Sequence, residues 1–375
     1  MAFRLSLFYA AIFLAIGVML PFWPVWLQAR GMSPAEIGII LSTGMWVRAF
    51  ANPLVAQAAD RRGRPDRMVA AMAWLALAAH AAFTVAHGFW ALLLVSVVAS
   101  AAFTAMMPLG DAVTMLKVRE GAVDYGRVRL WGSITFIVAA TVAGQALSGR
   151  PEELVLWLVI GCLVLVVAAG HSLPAVRTAG TARFAAPLVE IARDRPFLAF
   201  LGCASLLQAS HGVYYGFATL HWRAAGLDEL VIGALWAEGV IAEIALFAVS
   251  RRLLPRLPPY ALLGLAAAGG VVRWMVLGWT TSLPALVAVQ GLHGLTFGAA
   301  HLAAMHQIAL AIPAAHGATA QSVYSSFATG LAMAVSMAAS GWLYARFGGS
   351  AFFAMAGVSL AGAIAVAITR RRIAR

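Results

Sequence analysis

Charge is scarce in this sequence. Of 375 residues only 11% are Asp, Glu, Lys or Arg, and 62% are hydrophobic; a soluble domain carries roughly 25% charged residues. Together with a mean hydropathy of +0.88, the shortage excludes an ordinary water-soluble globule and places the chain in lipid. Cysteine is scarcer still. Cys162 and Cys203 each lie in an apolar run without a CxxC neighbour or clustered histidines, so neither a disulfide framework nor a metal site is expected. Nucleophile–base spacings and a phosphate-binding loop are missing too, which argues against an enzyme and against a bound cofactor. Acidic residues are the minority, 14 against 26 basic, and the pI near 10.9 would suit nucleic acid if the basic residues shared one face or tail. They fall instead at the ends of apolar runs, as a topology signal does, and no nucleic-acid partner is expected. The first apolar run, 5–27, lacks an A-x-A cleavage pattern and is followed by further runs, so it reads as a membrane span and not a signal peptide.

What the chain does have is apolar runs of about 20 residues, the length that crosses a bilayer as a helix. They fall near 5–27, 34–58, 68–87, 90–116, 127–149, 153–171, 196–222, 230–250, 259–279, 283–311, 316–345 and 350–369. The expectation is an all-α membrane protein of 12 transmembrane helices. With both termini inside, 20 of the 26 basic residues are cytoplasmic, four (Arg30, Arg150, Arg223, Arg346) are outside and two (Arg48, Arg273) lie within spans; that ratio fixes the direction. The polar stretch 172–195 divides the chain into expected six-helix bundles at 1–171 and 196–375.

The two halves repeat. Trp26, Gly31, Glu36 and Gly38 at the end of the first span recur in kind as Trp222, Gly226, Glu229 and Gly233 at the end of the seventh, and Arg61, Arg62 and Arg64 are echoed by Arg251, Arg252 and Arg256. Internal repetition of this kind marks duplicated architecture. Two six-helix halves in parallel repeat resemble the plan of the major facilitator superfamily, with substrate held between them near the midplane. Asp60-Arg-Arg-Gly-Arg64 resembles that superfamily's signature loop, although Ala56 stands where the leading glycine belongs. Asp60, Arg61 and Arg64, with Arg129 on the same side, are expected to act as a latch through charge-assisted bonds.

Five ionisable residues are stranded inside apolar helices: Arg48, Asp111, Glu238, Glu243 and Arg273. Each costs ~2.5–3.5 kcal/mol at bilayer depth, so such residues usually mark a substrate or proton path. A rise of ~1.5 Å per residue converts position into depth. Asp111 comes out ~9 Å from the cytoplasm, with Arg129 and Arg48 as candidate partners. Glu238 and Arg273 match in depth, ~12 and ~9 Å from the outer face, while Glu243 lies at the midplane, ~20 Å in, without an obvious partner. Glu243 is therefore the expected carrier of a coupling proton. Span ten adds His293, His301 and His306, whose spacings on an α-helix put no two on one face. Gln208, His211 and Tyr215 form a stripe with Tyr214 beside it, and Trp23 sits between Pro21 and Pro24. Aromatic walls with a few polar tips suit a small organic substrate. Trp26 and Trp222, near span ends, read as interfacial belt residues.

Several motifs resemble a narrower group. They are Leu20-Pro-Phe-Trp-Pro-Val-Trp-Leu27, Asp124-Tyr-Gly-Arg-Val-Arg-Leu-Trp-Gly-Ser133, Gln208-Ala-Ser-His-Gly-Val-Tyr-Tyr-Gly-Phe217, Leu235-Trp-Ala-Glu-Gly-Val-Ile-Ala-Glu243, Val272-Arg-Trp274 and His301-Leu-Ala-Ala-Met305. Together they resemble the bacterial phenylpropionate permease family across almost the entire chain. The resemblance implies proton-linked uptake of small aromatic acids across the bacterial inner membrane, by a monomer whose partners are substrate, protons and lipid. It carries functional positions onto Arg48, Asp111, Arg129, His211, Glu243, Arg273 and His301; Glu238 and His306 do not fit the family's pattern. Alternatives are a sugar or nucleoside symporter, an efflux antiporter, or a non-transporting sensor or assembly factor on the same fold. Against the antiporter, span five lacks a glycine-proline-glycine run.

Overall fold

The structure is a computed structural model that describes residues 1–177, 191, 193–313 and 316–373, with Pro53, Asp60, Ala318 and Ile373 described in backbone only. Most of the expected linker 172–195 lies outside the described residues. Within them every regular element is helical, the arrangement that satisfies backbone polar groups without water. The first six helices are α1 (Ala2–Ala29), α2 (Pro34–Arg62), α3 (Pro65–Ala82), α4 (Gly88–Arg119), α5 (Tyr125–Leu147) and α6 (Leu154–Ser172). They are followed by α7 (Arg195–Ala209), α8 (Gly212–Ala224), α9 (Glu229–Leu253), α10 (Pro259–Trp279) and α11 (Leu283–Gln290). A π-helical segment, Gly294–Ala299, leads into α12 (Ala300–Ala311). After α13 (Gly317–Tyr324) comes a second π-helical segment, Ser325–Ala332, then α14 (Met333–Phe347) and α15 (Ala351–Ile373).

Ten segments among the described residues are long and apolar enough to cross a membrane, against the twelve expected. The difference has two sources. Thr319–Arg372 counts as one apolar stretch of 54 residues although Gly348–Ser350 interrupts it. The 18-residue α3 falls short because it carries Asp66, Arg67 and His80.

The sequence repeat is also a repeat of local structure. At the end of α1, Gly31 takes φ +83°, Gly31 N donates to Gln28 O and Met32 N to Leu27 O. At the end of α8, Gly226 takes φ +87°, Gly226 N donates to Arg223 O and Leu227 N to Trp222 O. Both are Schellman caps, which need a residue at positive φ and therefore favour glycine. The next helix then starts on an N-cap in each case. Ser33 and Glu36 exchange bonds as a capping box, and Asp228 accepts from Leu230 N at 2.8 Å.

Contacts divide the chain into two compact units. The first holds Met1–Thr181 with Trp222–Ala237 and the second Ala182–His221 with Glu238–Arg375, so far as these residues are described. In unit 1, α1 packs on α5 and α6, while α4 packs on α2 and α3. Small residues set the closest approaches. A Cβ on Gly144 would overlap the Glu229 carbonyl, and one on Gly233 the Ala140 carbonyl, so α5 and the start of α9 meet backbone to backbone. Polar groups close the same contact: Arg223 bridges Glu152 at 3.0 Å and Glu229 at 2.7 Å, and Ser148 donates to Asp228. In unit 2, α15 packs on α7 and α10, and α10 also meets the first π-helical segment and α12.

Trp26 and Trp222 correct the belt expectation. Both are fully buried, and the Trp26 indole donates to Glu153 at 3.1 Å while Arg30, paired with the same carboxylate at 2.8 Å, lies over its ring. A carboxylate beneath the span end holds the indole inside the bundle, away from the lipid headgroups.

Two predictions follow from this packing. Gly233→Ala would push a methyl into the Ala140 backbone and lower stability by about 1–3 kcal/mol, as overpacking does, read as a drop in apparent Tm in detergent. In the polar cluster, its own backbone N–H and Arg223 hold the Glu152 carboxyl below its ordinary value, and Ser148 with Leu230 N does the same for Asp228. Depressed carboxyl pKa values give stability that is present above the ordinary carboxylate range and lost as pH falls through the depressed values. Arg223→Gln should therefore lower stability at pH 7, by no more than about 1 kcal/mol for so exposed a pair, with the difference in apparent Tm shrinking as pH falls below the ordinary carboxylate range.

Candidate functional site

In unit 2 the centre of the buried polar groups is Arg273, on α10 and 0% exposed. Its Nη1 donates to His293 Nδ1 at 2.9 Å and to Thr296 Oγ1 at 3.1 Å, and its Nη2 donates to Gln290 Oε1 at 2.7 Å. The Tyr214 and Trp274 rings lie 4.3 and 4.8 Å from its Cζ. Its Nε has no acceptor. Among the described residues no ion pair joins Arg273 to a carboxylate. Burying a guanidinium is costly unless its charge is met; every side chain bonded to it here is neutral, and the Glu238 carboxylate acts on it only from beyond ion-pair distance.

The hydrogen bonds fix both histidine tautomers. A guanidinium only donates, so His293 Nδ1 accepts and a neutral His293 carries its proton on Nε2. That Nε2 lies 3.9 Å from Glu243 Oε2. His211 Nδ1 faces only backbone carbonyls, Leu207 O and Gln208 O, both at 3.2 Å, so it donates. His211 Nε2, 3.2 Å from Thr296 Oγ1, then accepts the Thr296 hydroxyl proton. Thr296 thereby takes a bond from Arg273 and gives one to His211. On the other side, Gln290 Nε2 donates to Tyr214 OH at 3.0 Å.

Arg273 and Glu238, matched by depth, make no ion pair: Glu238 is half-buried and the guanidinium bonds go to Gln290, His293 and Thr296. Glycines set the geometry that depth arithmetic misses. Gly239 packs on the His293 ring, and a Cβ on Gly294 would lie 2.7 Å from Ala242 O. This tight seam brings Glu243 beside His293, so the carboxyl expected to stand alone has an imidazole neighbour.

Span ten also departs from the α-helical wheel. The π-helical segment Gly294–Ala299 bonds i to i+5 and takes an extra residue into its turn. His293 stacks on Phe297 at 5.6 Å and Phe297 on His301 at 6.2 Å, so His293 and His301 share one face after all. Beyond them Tyr324 lies 6.0 Å from His301 and accepts from Gln208 Nε2 at 3.1 Å. Tyr215 stacks on His211 at 5.5 Å. The expected stripe is therefore present, although α7 ends at Ala209 and Ser210–His211 form a turn before α8. Room for that turn comes from Gly212, whose missing Cβ would overlap Ser336 Oγ.

In unit 1 the partners expected for Asp111 are corrected. Among the described residues it pairs with neither Arg129 nor Arg48; Tyr9 OH donates to its Oδ1 at 2.6 Å and Tyr125 OH at 3.2 Å. The cause is Gly110, whose missing Cβ leaves space for the Phe8 ring, so α1 approaches α4 closely enough for Tyr9 to reach the carboxylate. Arg129 lies over Phe13 at 4.0 Å and Tyr9 at 5.7 Å. Arg48 is half-buried on α2 and Trp23 is buried on α1. In the loop after α2, Gly63 has φ +62° and Arg64 forms a two-pronged pair with Asp66, at 3.0 and 2.6 Å. Arg61 is exposed, and the Asp60 side chain lies outside the described residues.

Sequence reasoning missed Tyr9, Tyr125, Thr296 and Trp274 as site residues and named His293 without its tie to Arg273. Tyr125 and Trp274 stood in quoted motifs. Thr296 carried no signal, because a threonine in an apolar helix usually bonds its own backbone.

Long apolar helices, doubled hairpins and a sealed guanidinium together define a multi-pass membrane protein of the transporter class. The chain belongs to the MFS_1 like family, whose model matches residues 2–355. It is 36% identical over 366 residues to the "Probable 3-phenylpropionic acid transporter" of Escherichia coli (strain K12), covering 95% of this chain and 94% of that one. It is 28% identical over 347 residues to a maltose permease of Geobacillus stearothermophilus, covering 91% and 87%. In fold it is similar to a crystal structure of the nucleoside transporter NupG, with TM-score 0.86, 16% identity and 98% of each chain covered. A bacterial homologue of the human lysosomal transporter Spinster, inward-facing and unoccupied, matches with TM-score 0.76, 12% identity, and 99% and 96% covered. The protein is a major facilitator transporter of a small molecule and not an enzyme.

Thr296→Val keeps the shape of the side chain and removes the hydroxyl that serves Arg273 and His211 together. It should cost about 1–3 kcal/mol, since buried polar groups are left unpaired, whereas Thr296→Ser should stay within ~0.5 kcal/mol of the original. Thermal unfolding of both variants in detergent tests the pair.

Proposed function

We propose that this protein imports a small aromatic carboxylate similar to 3-phenylpropionate together with protons. In this reading it is a monomer in the bacterial inner membrane with both termini cytoplasmic, and two six-helix halves alternate access to the site. The observation that carries the reading is Arg273: a fully buried cation whose described bonds all go to neutral groups, with one N–H unused. A substrate carboxylate supplies a bonded countercharge, and the buried rings of Tyr214 and Trp274, with half-buried Tyr215, suit an aromatic body. The identity to the Escherichia coli relative supports the aromatic acid.

In the conformation described, the guanidinium is sealed, so substrate reaches it by displacing Gln290 or Thr296, or by meeting Nε as the surrounding helices part. Glu243 carries the proton. His293 lies between it and Arg273 and holds the two apart, with one ring nitrogen towards each. A charged Glu243 attracts the His293 Nε2–H and so keeps Nδ1 turned to Arg273; protonating Glu243 removes that attraction and lets the ring leave the guanidinium. Loss of that bond frees a donor for the substrate carboxylate, which couples the two events. One proton per monoanion makes the cycle electroneutral, so it follows the pH gradient and not the voltage. The second polar cluster, Asp111 with Tyr9 and Tyr125, is assigned to proton transfer, His301 to relay, and the turn Arg61–Arg64 with Arg129 to latching.

Uptake of labelled 3-phenylpropionate into energised vesicles, with and without an acidic exterior, tests this. Wild type should accumulate the acid only under the gradient. Glu243→Gln should lose accumulation while retaining exchange of labelled for unlabelled substrate, and Arg273→Gln should lose both. Accumulation by Glu243→Gln at the wild-type level would remove the proton assignment. Absence of any aromatic acid uptake, with uptake of a sugar or nucleoside instead, would replace the substrate.

A further inference from the structure

Unit 1 contains a cavity of about 150 Å³ lined from four of its helices. One wall is aromatic. Trp23 on α1 meets Phe83 edge-on at 5.1 Å and His80 at 5.8 Å, and His80 lies 5.7 Å from Phe83. These three rings brace one another, and Phe103 on α4 adds a fourth ring to the lining. Met19, Ile40 and Leu41 complete the apolar surface, and the α4 side adds the small residues Ser96, Ala99 and Ser100. No residue lining the cavity carries a formal charge.

Ser96 is out of place in such a wall. It is 5% exposed, and its hydroxyl has no hydrogen-bond partner. Thr104 and Thr114 on the same helix bond a carbonyl one turn back, to Ser100 O at 2.8 Å and Gly110 O at 2.8 Å. A buried hydroxyl left unmade is costly, and such groups call for an explanation. His80 adds an acceptor to the same lining: its Nδ1 bonds Ala76 O at 2.8 Å, so the ring proton sits on Nδ1 and Nε2 keeps a lone pair.

We propose that this cavity, lined wholly by residues of unit 1, is a second small-molecule site and that it takes an uncharged monohydric phenol with its ring against Trp23 and Phe83 and its hydroxyl on Ser96. Three observations fix the class. The space of about 150 Å³ against the aromatic wall accommodates one benzene ring. The absence of a cation among the lining residues excludes a carboxylate. The unused Ser96 hydroxyl selects a ring bearing one polar group over a plain hydrocarbon, and a lipid acyl chain would leave it unused. This assignment removes Trp23 from the transported-substrate residues and does not depend on which solute the protein carries.

Saturation-transfer NMR with phenol and with toluene, on the full chain in lipid nanodiscs, tests the site. Wild type should bind phenol saturably and about tenfold more tightly than toluene. Ser96→Ala, which changes no shape, should bring the two ligands to within about twofold of each other. Ala99→Phe fills the cavity and should abolish saturable binding of both, with circular dichroism checking that both variants fold. Signal that persists in Ala99→Phe is partition into the bilayer. The assignment is overturned if phenol shows no saturable binding, if toluene matches phenol in wild type, or if Ser96→Ala leaves their ratio unchanged.

Discussion

A guanidinium sealed in a low-dielectric interior without a carboxylate bonded to it is the constraint around which unit 2 is organised. Arg273 keeps its charge at any accessible pH, so the surroundings have to stabilise it with dipoles and rings. Gln290, His293 and Thr296 supply acceptors, and Tyr214 and Trp274 supply π faces. Each of these is itself held: Gln290 by Tyr214, Thr296 by His211, and Trp274 by Ser210 and Ser359. The His293 tautomer follows from arginine having no lone pair to offer, and that of His211 from the two backbone carbonyls it faces. A pocket evolved only for packing would have used a hydrocarbon side chain here, which is cheaper to bury.

The polar groups reach one another because glycines let helices approach. Gly110 admits Phe8 and brings Tyr9 to Asp111; Gly239 and Gly294 seat α9 against span ten and bring Glu243 to His293. In lipid, helices gain nothing from hiding apolar surface, so close backbone contact and buried hydrogen bonds do the joining. Structure and function therefore draw on the same residues. The small side chains that hold a bundle together also set which donor meets which acceptor.

Sequence alone revealed the class of fold, because spanning length, basic flanks and stranded charges are local signals. It also revealed the doubled hairpins, since a Schellman cap is written in one glycine and its immediate neighbours, at Gly31 and at Gly226 alike. Arg273, Asp111 and Glu243 stood out one by one for the same reason. Their partners did not. Depth arithmetic places residues along an axis but not around it, and it treats every helix as regular and equally spaced. Glu238 was matched to Arg273 on that basis, whereas a neutral Gln290 and Thr296 hold the guanidinium. Asp111 was given to arginines because opposite charges attract, while two tyrosines reach it through space that a glycine provides. Trp26 and Trp222 were read from their position at span ends, and Glu153 shows what position omits: an indole with a carboxylate in reach stays inside the bundle.

The π-helical segments carry a consequence for how such a chain tolerates change. Each holds a surplus residue within a turn, so the helix beyond it is rotated relative to the register its own sequence would impose. Straightening the segment Gly294–Ala299 into an ordinary α-helix without changing its length or hydropathy would swing everything after it by ~100°. His301 would then face away from Phe297, and the aromatic column would be cut in its middle. Topology and composition would register nothing, whereas a one-residue deletion that took out the surplus would keep His301 on its present face.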